Sequence, residues 1–148
     1  MKPLPILLAA LALAPLSADR RPALPTVYEV AVLGTIVPAR LLRAIAIVES
    51  SERDNATGDD GVSIGRYQLH ERFHAERARL YGEYDPRDPL AAGIIAARIL
   101  EDNYRQLGDW TLAIGAYQRG VTGVRRMGVN KTYIAKVFTA LKEIKNGY

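Results

Sequence analysis

The chain has 148 residues, 49% of them hydrophobic and 24% charged, with a formal net charge of +4 and no cysteine. That describes one domain with room for a real core, plus at most a removable end. The lack of cysteine excludes a disulfide scaffold and thiolate metal sites, and the mixing of acids and bases, with no basic block, leaves no nucleic-acid signature.

Met1-Lys2 is a short basic start, Leu4 to Ala14 a short apolar run, and Pro15-Leu16-Ser17-Ala18 leads into Asp19-Arg20-Arg21. This order predicts a signal peptide over residues 1–18 with cleavage after Ala18, although Leu16 is a poor match to the small-residue rule. The run is short for a membrane span. Such a leader would place the protein in the periplasm or outside the cell. Residues 19–25 are polar with two prolines and read as a linker, so the domain covers 26–148.

Thr26 to Thr35 reads as a short first helix ending at Gly34. Pro38 opens a strong helical stretch through about Ser50, since proline suits a first turn. Ser51 to Arg66, with Asn55, Gly58, Gly61 and Gly65, reads as a long loop or small irregular lobe, and long loops in compact domains are often functional. Helices follow over about His70 to Tyr81, from a cap at Asp88 with Pro89 in the first turn to about Leu107, and from a cap at Asp109 over Trp110 to about Gln118. Gly120 and Gly123 break the chain, and Asn130 or Thr132 starts a last helix to about Lys145. No strand pattern is evident. The fold class is mainly α. Trp110 reads as a core anchor, and Asn55-Ala56-Thr57 as an ordinary turn despite matching a glycosylation pattern.

One residue interrupts this pattern. Leu42, Ile45 and Ala46 share a helix face with Glu49, so the glutamate continues an apolar stripe. It also falls in the last turn, where the helix dipole disfavours negative charge. Desolvation and the dipole both raise a carboxyl pKa, and a glutamate protonated near neutral pH can donate to a leaving oxygen. On pattern alone, a stripe that ends with Glu49 reaching into water is the commoner explanation.

A second motif competes. His70-Glu71-Arg72-Phe73-His74 is a His-Glu-x-x-His sequence, which on a helix puts two histidines on one face for zinc with Glu71 as base. These are the only histidines, so a third ligand would be an acid such as Asp88 or Glu101. Arg72 and Arg77 bring positive charge close, and the helix begins at His70 rather than containing the motif. A solvated helix start is preferred, and no metal or cofactor is expected.

Three further stretches change the weight on Glu49. Ser63-Ile64-Gly65-Arg66-Tyr67-Gln68 follows the polar loop, Asp88-Pro89-Leu90-Ala91-Ala92-Gly93 opens a long helix, and Ala116-Tyr117-Gln118-Arg119-Gly120 lies in the last third. Together with Glu49-Ser50 they resemble, in order, the lysozyme-like lytic transglycosylases of the soluble lytic transglycosylase (SLT) domain family, over about Val37 to Phe138. Gly58 to Gln68 also resembles phage and bacterial muramidases. The resemblance implies an all-α, lysozyme-like fold with a sugar groove between two lobes. It implies cleavage of the β-1,4 bond between N-acetylmuramic acid and N-acetylglucosamine in peptidoglycan, with Glu49 as general acid and then base. The muramic 6-hydroxyl attacks its own anomeric carbon and leaves a 1,6-anhydro end, with the N-acetyl group assisting. Ser50 would orient the carboxyl or the helix end. Gly65 would allow close approach of a sugar or a turn closed to other residues. Gln68 would offer its amide to sugar or to the fold near Glu49. Tyr117 would stand near Glu49, and Tyr133 resembles a late tyrosine that reaches back to the acid. Gln118 replaces the family's Asn, and Arg66-Tyr67 replaces its Leu-Met, which would put a charge and a ring near the groove.

Asp59 and Asp60 leave a hydrolytic muramidase open, since a second carboxylate at suitable distance would activate water; a solvated turn, for which Gly58-Asp59-Asp60-Gly61 is good chemistry, is the preferred reading. A silent wall-binding module that keeps the fold is a third class, against which Glu49 argues. The partners expected are peptidoglycan glycan strands, to which a mild positive charge is suited, and a cell-envelope assembly or secretion machine. A monomer is expected, and no nucleic acid.

Overall fold

The structure, a computed structural model, describes residues 23–146; the expected signal peptide (1–18) and the linker residues 19–22 lie outside them. α1 (Val27–Ala31) is opened by a capping box: Glu29 N donates to Thr26 Oγ1 at 3.3 Å and Thr26 N to Glu29 Oε2 at 2.6 Å. α2 spans Ala39–Ser50, with Pro38 just outside it at the N-cap. Its apolar face, Leu41, Leu42, Ala44, Ile45 and Ala46, is buried.

Between α2 and the next helix lies a small lobe that is not wholly irregular. Three two-residue strands, β1 (Thr57–Gly58), β2 (Ser63–Ile64) and β3 (Leu69–His70), form an antiparallel sheet in that order, with Thr57 opposite Ile64 and Ile64 opposite Leu69. Strands this short carry no alternation, so the sequence offers no signal for them. They also move a helix start. Residues 69–70 pair in the sheet and Glu71–Phe73 make one 3₁₀ turn capped by His70, whose Nδ1 accepts from Arg72 N at 3.2 Å. α3 therefore runs over His74–Tyr81 rather than from His70.

α4 (Pro89–Leu107) matches its expected bounds because both signals are local: Asp88 Oδ1 accepts from Ala91 N at 2.6 Å, and Gly108 closes the helix in a left-handed conformation. α5 (Trp110–Arg119) is likewise capped by Asp109, which accepts from Leu112 N at 2.9 Å. An unexpected helix, α6 (Val121–Met127), contains Gly123 instead of breaking there. α7 (Lys131–Asn146) is capped by Asn130, which accepts from the amides of Thr132 and Tyr133.

α2 packs on α7, while α4 packs on α1 and α5. Leu42, Ile45, Leu100, Ile114 and Val137 are fully buried at the centre, each stabilising the fold by roughly 1.5–3 kcal/mol relative to exposure. Tyr67 from the small lobe reaches the same core, fully buried, with its hydroxyl beside Ala31 and Gly93. Trp110 stacks on Tyr104, centroids 4.3 Å apart, at the core's edge. No described helix is long and apolar enough to cross a membrane.

Candidate active site

Glu49 sits one residue from the end of α2. The helix ends there because Ser51 and then Glu52 turn left-handed, at φ 55° and 61°, with Ser51 N bonding Ile47 O and Glu52 N bonding Ala46 O. The Glu49 carboxyl is half-buried. Burial pushes its pKa up from 4.5 to about 6, against a hydrogen bond from Tyr133 that favours the ionised form and with a further push from the charge of Asp59. Tyr133 Oη donates to Glu49 Oε1 at 2.6 Å, from a buried position in the first turn of α7. The late tyrosine thus meets the acid across 84 residues of chain.

Ser50 is buried and faces away from solvent. Its hydroxyl donates to Arg66 O at 2.8 Å and accepts from Arg53 N at 3.0 Å, so it ties the helix end to the lobe. Tyr117, in the last turns of α5, donates from Oη to Tyr67 O at 2.9 Å. Burial and the nearby charge of Glu49 hold its phenol pKa well above the ordinary range, opposed by Arg77. Ser50 and Tyr117 therefore bond consecutive carbonyls, residues 66 and 67.

Gly65 has φ +77°, and a Cβ there would collide with the carbonyl of Pro86. It is buried against the 85–88 turn. Of the two roles open to it, the structure gives the turn and a close backbone approach. Gln68, also left-handed at φ 48°, donates from Nε2 to Gly65 O at 2.9 Å, and its amide oxygen fills the space left by the missing side chain of Gly58. Its amide bonds are made inside the lobe. Gln118 is exposed and, with Phe73, Arg77, Asn103 and Tyr117, lines a cleft of about 450 Å³.

Asp59 and Asp60 are exposed at the lobe's tip, both left-handed, at φ 51° and 59°. Asp59 accepts from Ser63 Oγ at 2.5 Å, and its charge acts on Glu49.

One expectation is corrected, and the competing zinc motif is placed. Arg66 and Tyr67 do not present a charge and a ring to a groove. Tyr67 is buried in the core, and Arg66 is folded onto Asp54 and Tyr28, at 2.7 Å (Nε to Oδ1) and 2.8 Å (Nη1 to Oη). The zinc reading loses its geometry as well. His70 lies on β3 and His74 begins α3, so no common helix face carries them; His70 Nδ1 caps the 3₁₀ turn, and His74 packs on Tyr84. Among the described residues no three His, Asp or Glu side chains are placed to hold a metal ion.

Sequence reasoning misses the polar group behind the site. Tyr28 donates to Glu52, Arg66 pairs with Asp54, and Arg43 Nε bonds Glu52 Oε1 at 3.1 Å. The only sequence signal is a cluster of charges over residues 52–54 and 66, which reads equally as a solvated loop.

Comparison with known proteins places the chain in a family. The transglycosylase SLT domain matches residues 30–136. The invasion proteins IagB of Salmonella typhimurium and Salmonella typhi are each 30% identical to the chain over 115 residues, covering 74% of this chain and 71% of theirs. No solved structure matches. With this match over most of its length, and with seven helices around a small three-stranded lobe among the described residues, the chain belongs to the transglycosylase SLT domain family and has its mainly α, lysozyme-like fold.

Proposed function

We propose that this protein is a peptidoglycan lytic transglycosylase in which Glu49 cuts the bond between N-acetylmuramic acid and N-acetylglucosamine. The observation that carries this reading is the Glu49 carboxyl: half-buried, raised to about 6, and fixed by the Tyr133 hydroxyl at 2.6 Å. Such a group is still largely protonated in mildly acidic solution, which is what a general acid needs.

In the first step Glu49 gives its proton to the glycosidic oxygen as the C1–O bond breaks, and the N-acetyl oxygen supports the cationic C1. In the second, the muramic 6-hydroxyl attacks C1 and its proton passes back to Glu49, closing the 1,6-anhydro ring with no net uptake of water. Tyr133 orients the carboxyl throughout. The cleft beside Tyr117 and Gln118 takes the glycan strand. Ser50, Gly65 and Gln68 serve the site by shaping the lobe next to the acid.

Hydrolysis is the second reading, because the charge of Asp59 acts on Glu49. In that version Asp59 holds a water against C1 and the product has a reducing end. Asp60, next to it at the lobe's tip, is the other carboxylate for that role. The site of action we infer is the periplasm or the cell exterior. The name of the IagB relatives, invasion proteins, suits work at the envelope, with an assembly or secretion machine as partner.

The test is Glu49→Gln followed by mass spectrometry of muropeptides released from purified walls. Wild type is expected to release anhydro ends, and Glu49→Gln to release nothing while remaining folded. Full activity of Glu49→Gln would overturn the reading, and loss of wild-type activity on adding a chelator would return the metal reading. Reducing ends would establish hydrolysis.

A further inference from the structure

We propose that Arg66 is a positioning residue for the Glu49 centre: its guanidinium fork holds the two main-chain carbonyls to which Ser50 and Tyr117 are bonded. The inference rests on Glu49 being the catalytic acid.

The fork is held on two sides. Nε and Nη2 reach Asp54 Oδ1 and Oδ2 at 2.7 and 3.1 Å, and Nη1 donates to Tyr28 Oη at 2.8 Å. A bidentate pair of this kind fixes direction as well as distance. The Arg66 side chain is only 15% exposed, and the guanidinium lies 5.6 Å from the centroid of the Tyr28 ring. Tyr28 in turn donates to Glu52, which Arg43 also contacts. Arg66 thereby joins α1, the residues just after α2, and the lobe.

What the fork fixes is the peptide path at residues 66 and 67. Arg66 O accepts from Ser50 Oγ, directly next to Glu49 in the chain, and Tyr67 O accepts from Tyr117 Oη. The groups acting electrically on Glu49 are Tyr133 from α7 and Asp59 from the lobe's tip, and Tyr117 from α5 feels the Glu49 charge together with that of Arg77 from α3. The hydrogen-bonded route from Arg66 toward Glu49 runs through these carbonyls. Arg66 departs here from the resembled transglycosylase pattern, which has Leu at this position.

That route fixes the sign of the test. If Arg66 positions the loop, Arg66→Leu lets water reach the Glu49 carboxyl, and the alkaline limb of the pH–activity profile moves down. If Arg66 acted by its charge, removing a cation would move that limb up. The expected result for Arg66→Leu is kcat lower on the order of tenfold, KM within about twofold, and the limb displaced downward. Arg66→Lys keeps the charge but cannot reproduce the fork, and should resemble Arg66→Leu. Asp54→Asn, at a partly exposed site, should show a smaller change of the same sign and covers the case in which Arg66→Leu does not fold. Folded Arg66→Lys and Asp54→Asn variants with wild-type kcat and limb would overturn the proposal, as would an upward displacement. If Glu49→Gln is inactive while these variants are normal, only this inference fails; an active Glu49→Gln removes the reading beneath it.

Discussion

The carboxyl proposed as the catalytic acid also works against the fold, and the size of that conflict follows from its surroundings. Glu49 has its carboxyl pKa raised from an ordinary 4.5 to about 6, chiefly by burial. At about pH 4 the carboxyl is protonated in both folded and unfolded chains, and its stability contribution is intact. As pH rises through 4.5 the unfolded chain releases a proton that the folded chain keeps, so stability falls; above the folded value the loss is complete and constant. The rise from 4.5 to about 6 corresponds to about 2 kcal/mol at most. Glu49→Gln removes the titration while leaving an amide oxygen for the Tyr133 hydroxyl. It is therefore expected to be more stable than wild type by up to about 2 kcal/mol near neutral pH, and equal to it near pH 4. For a domain of this size that is a rise in Tm of about 6–10 °C. Urea denaturation of both proteins between about pH 4 and pH 8 measures it. Parallel curves, with the same pH dependence for wild type and variant, would show that Glu49 is not held in a desolvated site and would remove the physical basis of its role as an acid.

Tyr133→Phe takes away the hydrogen bond that favours the ionised carboxylate, so the Glu49 pKa should rise further and the alkaline limb of the activity profile should move up, while kcat falls about tenfold from lost orientation; a limb that stays in place would contradict the assignment. Asp59→Asn removes a charge that raises the Glu49 pKa, so the limb should move slightly down and the anhydro ends should persist. Disappearance of all product in muropeptide mass spectrometry would instead place Asp59 in the chemistry. Gly65→Ala should cost about 2–4 kcal/mol, from the left-handed backbone and the collision with Pro86 together, read as a lower urea midpoint at unchanged slope.

Features with local causes are legible in the amino-acid sequence. Asp88-Pro89 and Gly108 bound α4 because a side-chain cap and a left-handed residue act within one turn. Glu49 stands out through its own helix stripe. α6 is not legible: Gly123 reads as a breaker, yet it is helical and glycine is needed there because a Cβ would strike the Arg119 side chain. The roles of Ser50 and Tyr117 depend on main-chain carbonyls 16 and 50 residues away, and no local pattern encodes such partners. Tyr133 is reached only by resemblance, since nothing in Lys131 to Ile134 points to a glutamate in α2. Arg66 and Tyr67 are misplaced by their motif for the same reason: their burial is decided by Tyr28, Asp54 and Gly93, all outside it.

The Tyr67 ring carries a consequence for how such chains can diverge. Its hydroxyl lies 3.0 Å from where a Cβ on Gly93 would stand, and has no hydrogen-bond partner among the described residues. A methyl group at 93 and a phenol at 67 compete for one volume in the core. The two positions should therefore vary as a pair: Gly93→Ala alone is crowded, Tyr67→Phe alone removes an unpaired buried hydroxyl at little or no cost, and with that oxygen gone one of the close contacts of the new methyl disappears. A peg on the lobe and a socket on a helix, 26 residues apart, thus share one space in the core.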